Sequence, residues 1–213
     1  MKIISVSVAT PQIVEFGGRR VQTSIFKTPV TGKVPVRFLN IEGDQQSDLT
    51  VHGGRDKAIY VYSSDYYEDW SAELGVQPLQ VSQFGENLTV AGCTDSEVLI
   101  GIRYRIGNVE ATVTQPRIPC FKLGIRLNDK TFPATFWARG RLGFYLRVDK
   151  EGTLGAGDSL EIIEQPKHKF TVRRLYETVT GGSPGDAMAA MESLPHLDDG
   201  WLRRLNRIVK NRG

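Results

Sequence analysis

The chain has 213 residues but only two cysteines, Cys93 and Cys120, and their separation of 27 residues fits neither a CxxC redox pair nor a zinc ribbon. A fold stapled by several disulfides is excluded with them. No run of about 18 apolar residues occurs, so no segment reads as a membrane-spanning helix. Neither a GxGxxG fingerprint nor the GxxxxGK[ST] phosphate loop is present, and no cysteine cluster could hold an electron carrier. The opening Met1-Lys2-Ile3-Ile4-Ser5-Val6-Ser7-Val8 alternates like a strand and lacks a signal peptide's small-residue cleavage site. The expectation is a reducing, cytoplasmic location.

What remains is a chain with 40% hydrophobic residues, enough for one sizeable core. Its 22 glycines exceed the usual share of about 7% and fit a fold of many tight turns. Five stretches, 21–26, 58–62, 109–113, 143–148 and 159–163, are β-branched or aromatic-rich and read as strands. Helical inserts are expected at Asp65–Leu74, just after Cys120, and at Ala134–Arg139. Ser63 or Ser64 would cap the first and Gly75 would stop it. From residue 165 the period changes. Val172, Leu175, Tyr176 and Val179 form a helical stripe, Gly181-Gly182-Ser183-Pro184 breaks it, and two more short amphipathic helices follow. The expected division is therefore a strand-rich unit over residues 1–164 and a three-helix extension over 165–213.

The net charge of +3 conceals a cancellation. Residues 165–213 carry +4, the stretch from Ala111 to Arg147 carries +6, and the rest carries −7. The +6 stretch surrounds Cys120. Such a field attracts an anionic ligand such as a phosphate, although solvated strand and helix faces would give the same count.

Three segments could carry chemistry. In Pro116-Arg117-Ile118-Pro119-Cys120-Phe121-Lys122 a strand ends, two prolines fix the turn, and a helix is expected to begin. A cysteine there, beside Arg117 and Lys122, has the setting that favours a thiolate, whereas Cys93 reads as structural. In His52-Gly53-Gly54-Arg55 the glycines let backbone approach a ligand, with cations following. Phe84-Gly85-Glu86-Asn87 puts a carboxylate and an amide at one strand end. Lys33, in a turn, is a candidate cation near the same pocket. His168 and His196 read as surface residues of the tail.

In this order and spacing, the three segments resemble the MOSC family, domains similar to the C-terminal part of molybdenum cofactor sulfurase. The helical tail with Trp201 resembles that family's stand-alone, YiiM-like bacterial branch, linked to resistance against 6-N-hydroxylaminopurine. The resemblance implies a mostly β (α+β) barrel-type domain with short helical inserts, carrying a molybdenum cofactor with Cys120 as the protein ligand of the metal. It matches His52 and Asn87 to positions that line the cleft. Together with Lys33, added as a cation near the same pocket, the expected catalytic residues are Cys120, His52 and Lys33, and the expected cofactor-binding residues are Arg117, Asn87, Gly53, Gly54, Arg55 and Lys122. The expected reaction is reduction of an N-hydroxylated base, fed by a separate electron-donating reductase. The sulfurase's pyridoxal-phosphate domain has no counterpart. A carrier holding a persulfide on Cys120 is the alternative. Nucleic acid is the disfavoured partner, since the aromatics are not interleaved with the basic residues. Homodimerisation stays open.

Overall fold

The computed structural model describes residues 1–47, 53–194 and 196–210. In chain order the strands are β1 (Lys2–Val8), β2 (Gln12–Phe16), β3 (Arg19–Thr23), β4 (Thr28–Pro29), β5 (Lys33–Val36), β6 (Ile59–Ser63), β7 (Leu88–Ala91), β8 (Arg103–Ile106), β9 (Val109–Pro116), β10 (Phe144–Lys150), β11 (Gly152–Gly155) and β12 (Leu160–Glu164). The helices are α1 (Tyr67–Leu74), α2 (Phe121–Leu127), α3 (Phe132–Arg139), α4 (Val172–Gly181), α5 (Pro184–Ser193) and α6 (Asp199–Lys210). None of them is long and apolar enough to cross a membrane.

Eight strands form one sheet in the order β12-β8-β9-β10-β6-β7-β1-β4, while β5–β11 and β2–β3 pair separately. Every neighbouring pair in the large sheet is antiparallel except β6–β7. The ladder does not close into a full barrel. A single bridge between Lys2 and Ser159, with Leu160 N donating to Met1 O at 3.2 Å, brings β1 beside the start of β12. Strand and helix are nearly equal, about 31% and 30%, so the class is mixed α+β.

Sequence pattern explains most elements directly. Alternation along β9 and β10 buries Val109, Ala111, Val113, Phe144, Leu146 and Val148 on one face. Helix α1 follows a cap in which Ser63 Oγ accepts from Asp65 N at 3.1 Å, and Gly75 ends it in the left-handed conformation. In the tail, Ser183 and Asp186 form a reciprocal capping box on α5. One strand falls short of expectation. It stops at Thr23 instead of reaching Phe26; there Ile25 N donates to the Thr23 side chain at 3.2 Å rather than to a strand partner, and Ile25 packs on Gly85 (φ +80°), where an ideal Cβ would lie 2.7 Å from Ile25 Cγ1.

Asp95 ties the body to the tail. Its Oδ2 accepts from Leu142 N at 2.7 Å and Gly143 N at 3.1 Å, and its carbonyl accepts from Arg173 N in α4 at 2.8 Å. Burial pushes its carboxyl from the ordinary 3.8 to about 6 despite these donors. The folded state thus holds a proton that the unfolded chain has released, and stability falls as pH rises through that window. Against Asp95→Asn, the wild type is expected to lose roughly 3 kcal/mol of relative stability between pH 3.5 and 7, read by urea unfolding at both ends. A stability gap that stays constant over that range would mean that Asp95 titrates normally.

Candidate functional site

One cleft opens at the ends of β6, β9 and β10 and encloses about 620 Å³, part of it open to solvent. Its floor is built by the proline turn after β9. There Arg117 N donates to Gly143 O at 3.2 Å, and Cys120 sits in extended conformation just ahead of α2, its carbonyl accepting from Leu123 N at 3.0 Å. Cys120 is half-buried and lines the cleft, whereas Cys93 is buried and burial pushes its thiol up to about 12. The burial of Cys93 fits its structural reading, and Cys120 stands in the cleft.

Arg117 is buried, with Nη1 donating to Phe84 O at 2.5 Å and its guanidinium 4.6 Å from the Tyr60 ring centroid. Lys122 turns into the cleft and donates to Ser47 Oγ at 2.8 Å. The other five cations of the +6 stretch go elsewhere. Arg139 and Arg141 pair with Glu73, Arg147 pairs with Asp149, and Arg126 and Lys130 lie over Phe26 and Phe16.

The Gly85-Glu86-Asn87 turn faces inward. The Glu86 carboxylate accepts from Tyr67 Oη, from Ser82 N and Phe84 N at 3.0 Å each, and from Thr89 Oγ1 at 3.1 Å, and burial raises its pKa. It folds the loop whose Phe84 carbonyl holds Arg117. Asn87 lines the cleft but is already engaged by protein: Oδ1 accepts from Tyr60 N at 3.1 Å, and Nδ2 donates to Ser7 O at 3.2 Å and Asp44 Oδ2 at 2.9 Å.

That last bond leads to a pair that sequence inspection passed over. Asp44 forms a buried ion pair with Lys27, and Asp44 Oδ1 also accepts from Ala9 N at 2.8 Å. Both side chains line the cleft. Burial pulls the Lys27 pKa down, with Asp44 opposing it. Lys57, one of the cations that follow the two glycines in the sequence, lines the same wall and pairs with Asp198 at 2.6 Å.

The remaining expected site residues divide. Gly53 (φ +116°) lines the cleft. Gly54 and Arg55 are exposed and outside its lining, with the Arg55 guanidinium 4.6 Å from the Phe38 ring. Lys33 also lies outside, exposed on β5 and 3.3 Å from Asp158 Oδ1. His52 lies outside the described residues. Of the two tail histidines, His196 is exposed and His168 is half-buried, its Nδ1 accepting from Phe170 N at 3.2 Å.

The electrostatics follow from these pairings. Lys27 and Lys57 are each matched by a carboxylate, whereas Arg117 and Lys122 meet only neutral groups among the described residues. Two cations beside a thiol, with no carboxylate partner among the described residues, suit a phosphate-bearing ligand. Ser24 Oγ, buried on the cleft wall, has no hydrogen-bond partner among the described residues and faces such a ligand. No group of three His, Cys, Asp or Glu side chains able to hold a metal occurs among the described residues. A bare ion needing three or four protein ligands does not fit this donor set. A metal that arrives with its own sulfur ligands and needs one soft thiolate does.

The MOSC domain family model matches residues 48–161. The uncharacterized protein YflK of Bacillus subtilis is 38% identical over 171 residues, covering 80% of this chain and 77% of YflK. A protein named "Reductase" from Gibberella moniliformis is 31% identical over 185 residues, 85% of this chain but 33% of that protein. Among solved structures, YiiM from Geobacillus stearothermophilus superposes with a TM-score of 0.79 at 28% identity, covering 98% of both chains.

Proposed function

Because the chain belongs to the MOSC domain family, we propose that it is a molybdenum-cofactor-dependent reductase of N-hydroxylated compounds such as 6-N-hydroxylaminopurine. The observation that carries this reading is the Cys120 thiol in the cleft beside Arg117 and Lys122, which meet no carboxylate among the described residues. The relative named as a reductase supports redox chemistry, and the fold shared with YiiM supports the stand-alone branch of the family.

When bound, the molybdenum pterin supplies the two-electron chemistry that cleaves an N–O bond. The overall change takes R–NHOH, two electrons and two protons to R–NH₂ and water. Cys120 Sγ would hold the metal, and Arg117 with Lys122 would hold the pterin phosphate. The Ser24 hydroxyl would complete that cradle. Tyr60 and Tyr145, both lining the cleft, narrow it against bulk water. We assign one proton of the reaction to Lys27 Nζ, whose hold on it is loosened by burial. Lys33 takes no part, since its ammonium is spent on Asp158 outside the cleft. Electrons would come from a separate reductase.

The test is to express the protein with molybdate, desalt it, measure molybdenum and pterin, and assay 6-N-hydroxylaminopurine with an artificial donor. Molybdenum stoichiometric with the chain and formation of 6-aminopurine are expected. A preparation without molybdenum, in which a cysteine desulfurase adds one sulfur to Cys120, would replace this reading with the persulfide carrier.

A further inference from the structure

Four contacts join the start of α6 to the segment that carries the thiol. Asp198 Oδ2 accepts from Gln115 Nε2 at 3.0 Å, and Asp198 N donates back to Gln115 Oε1 at 3.0 Å. Trp201, fully buried, donates from Nε1 to Pro116 O at 3.0 Å. Gly200 lies so close to Ile118 that an ideal Cβ would stand 2.9 Å from Ile118 Cδ1. Residues 198–201 thus grip positions 115, 116 and 118, immediately ahead of Cys120. The same Asp198 Oδ2 holds Lys57 Nζ at 2.6 Å on the cleft wall, while Oδ1 accepts from Trp201 N at 3.0 Å.

A carboxylate with this many donors does more than pin a tail. Burial alone would raise its pKa, but the Lys57 bond, the Trp201 amide and Gln115 together hold it below the ordinary range, so it is an anion at neutral pH. It offsets positive charge on the cleft wall through Lys57 and holds the strand end from which the proline turn departs. We propose that the C-terminal helices complete the cleft, with Asp198 as a positioning residue that sets both the aim of the Cys120 thiol and the anion-binding charge of the wall. This rests on the reading of Cys120 as the group that holds the metal. It adds that the strand-rich portion alone does not present that group correctly.

The experiment uses the full-length, metal-free protein and alkylation of Cys120 followed by peptide mass spectrometry. Neutral iodoacetamide reads the thiol's accessibility. The ratio of anionic iodoacetate to iodoacetamide reads the charge of the wall. In Asp198→Asn the ratio is expected to rise about tenfold, because the wall loses one negative charge. Lys57→Met combined with Asp198→Asn should bring the ratio back toward wild type. Trp201→Phe, which loses the Pro116 bond but keeps the ion pair, should speed both reagents alike. Unchanged rates and ratio in Asp198→Asn overturn the proposal. So does acceleration that merely follows the loss of global stability measured by urea unfolding. Because no molybdenum enters these measurements, failure here leaves the cofactor reading standing, and absence of molybdenum elsewhere leaves this one standing.

Discussion

Cys120→Ser protein is expected to fold like the wild type and to leave purification without molybdenum. The side chain is half-buried and outside the hydrophobic core, so removing sulfur should change stability by no more than about 0.5 kcal/mol. The serine hydroxyl is a hard, protonated donor at neutral pH, whereas the metal's other ligands in a dithiolene are soft sulfurs. Loss of groups that only orient a ligand already weakens metal binding by about 10–100-fold, so loss of the ligand itself should exceed that. Elemental analysis of the two proteins prepared side by side decides the matter, with N-hydroxylamine reduction falling in step. Wild-type molybdenum content in the serine variant would end the role given to Cys120.

The second large effect concerns stability. Asp44→Asn keeps the shape of the side chain and an oxygen for Ala9 N, but leaves the Lys27 ammonium buried beside Arg117 with its counter-charge gone. Breaking one side of a buried ion pair costs about 3–5 kcal/mol, and that loss is expected in urea unfolding at pH 7. The sign of its pH dependence follows from Lys27. With Asp44 removed, the lysine's folded pKa falls further below that of the unfolded chain, so the unfolded state binds more protons and the variant regains stability as pH rises. Lys27→Met combined with Asp44→Asn should recover most of the loss, because neither charge is then stranded. A double variant as unstable as the sum of the two singles would show that the pair does not act as a unit.

These two sites differ in how far the sequence revealed them. Cys120 was legible because its local string carries the whole setting: a strand end, two prolines and adjacent cations. The six helices were legible for the same reason, since caps and period are local properties. Lys27 and Asp44 were not, because a lysine in a strand-rich stretch and an aspartate after a glycine look like ordinary surface residues. Only the fold carries them to the same wall, 17 positions apart in sequence. The +6 stretch misled in the opposite direction. It is continuous in sequence, yet α2, α3 and β10 point its members to different faces, and two of seven reach the cleft. Asn87 lines the cleft, but its amide serves Tyr60, Ser7 and Asp44, a cross-strand function that no turn motif discloses.

The position of β1 between β7 and β4 in the large sheet has a practical consequence. The family match begins at residue 48, so a fragment trimmed to it discards β1 and bares the backbone edge of β7, whose Leu88 and Val90 are buried in the intact chain. An exposed apolar strand edge is a template for intermolecular pairing. Such a fragment would aggregate before its chemistry could be assayed. The smallest useful unit for crystallography or mutagenesis is therefore longer at its amino end than the segment by which the family is recognised.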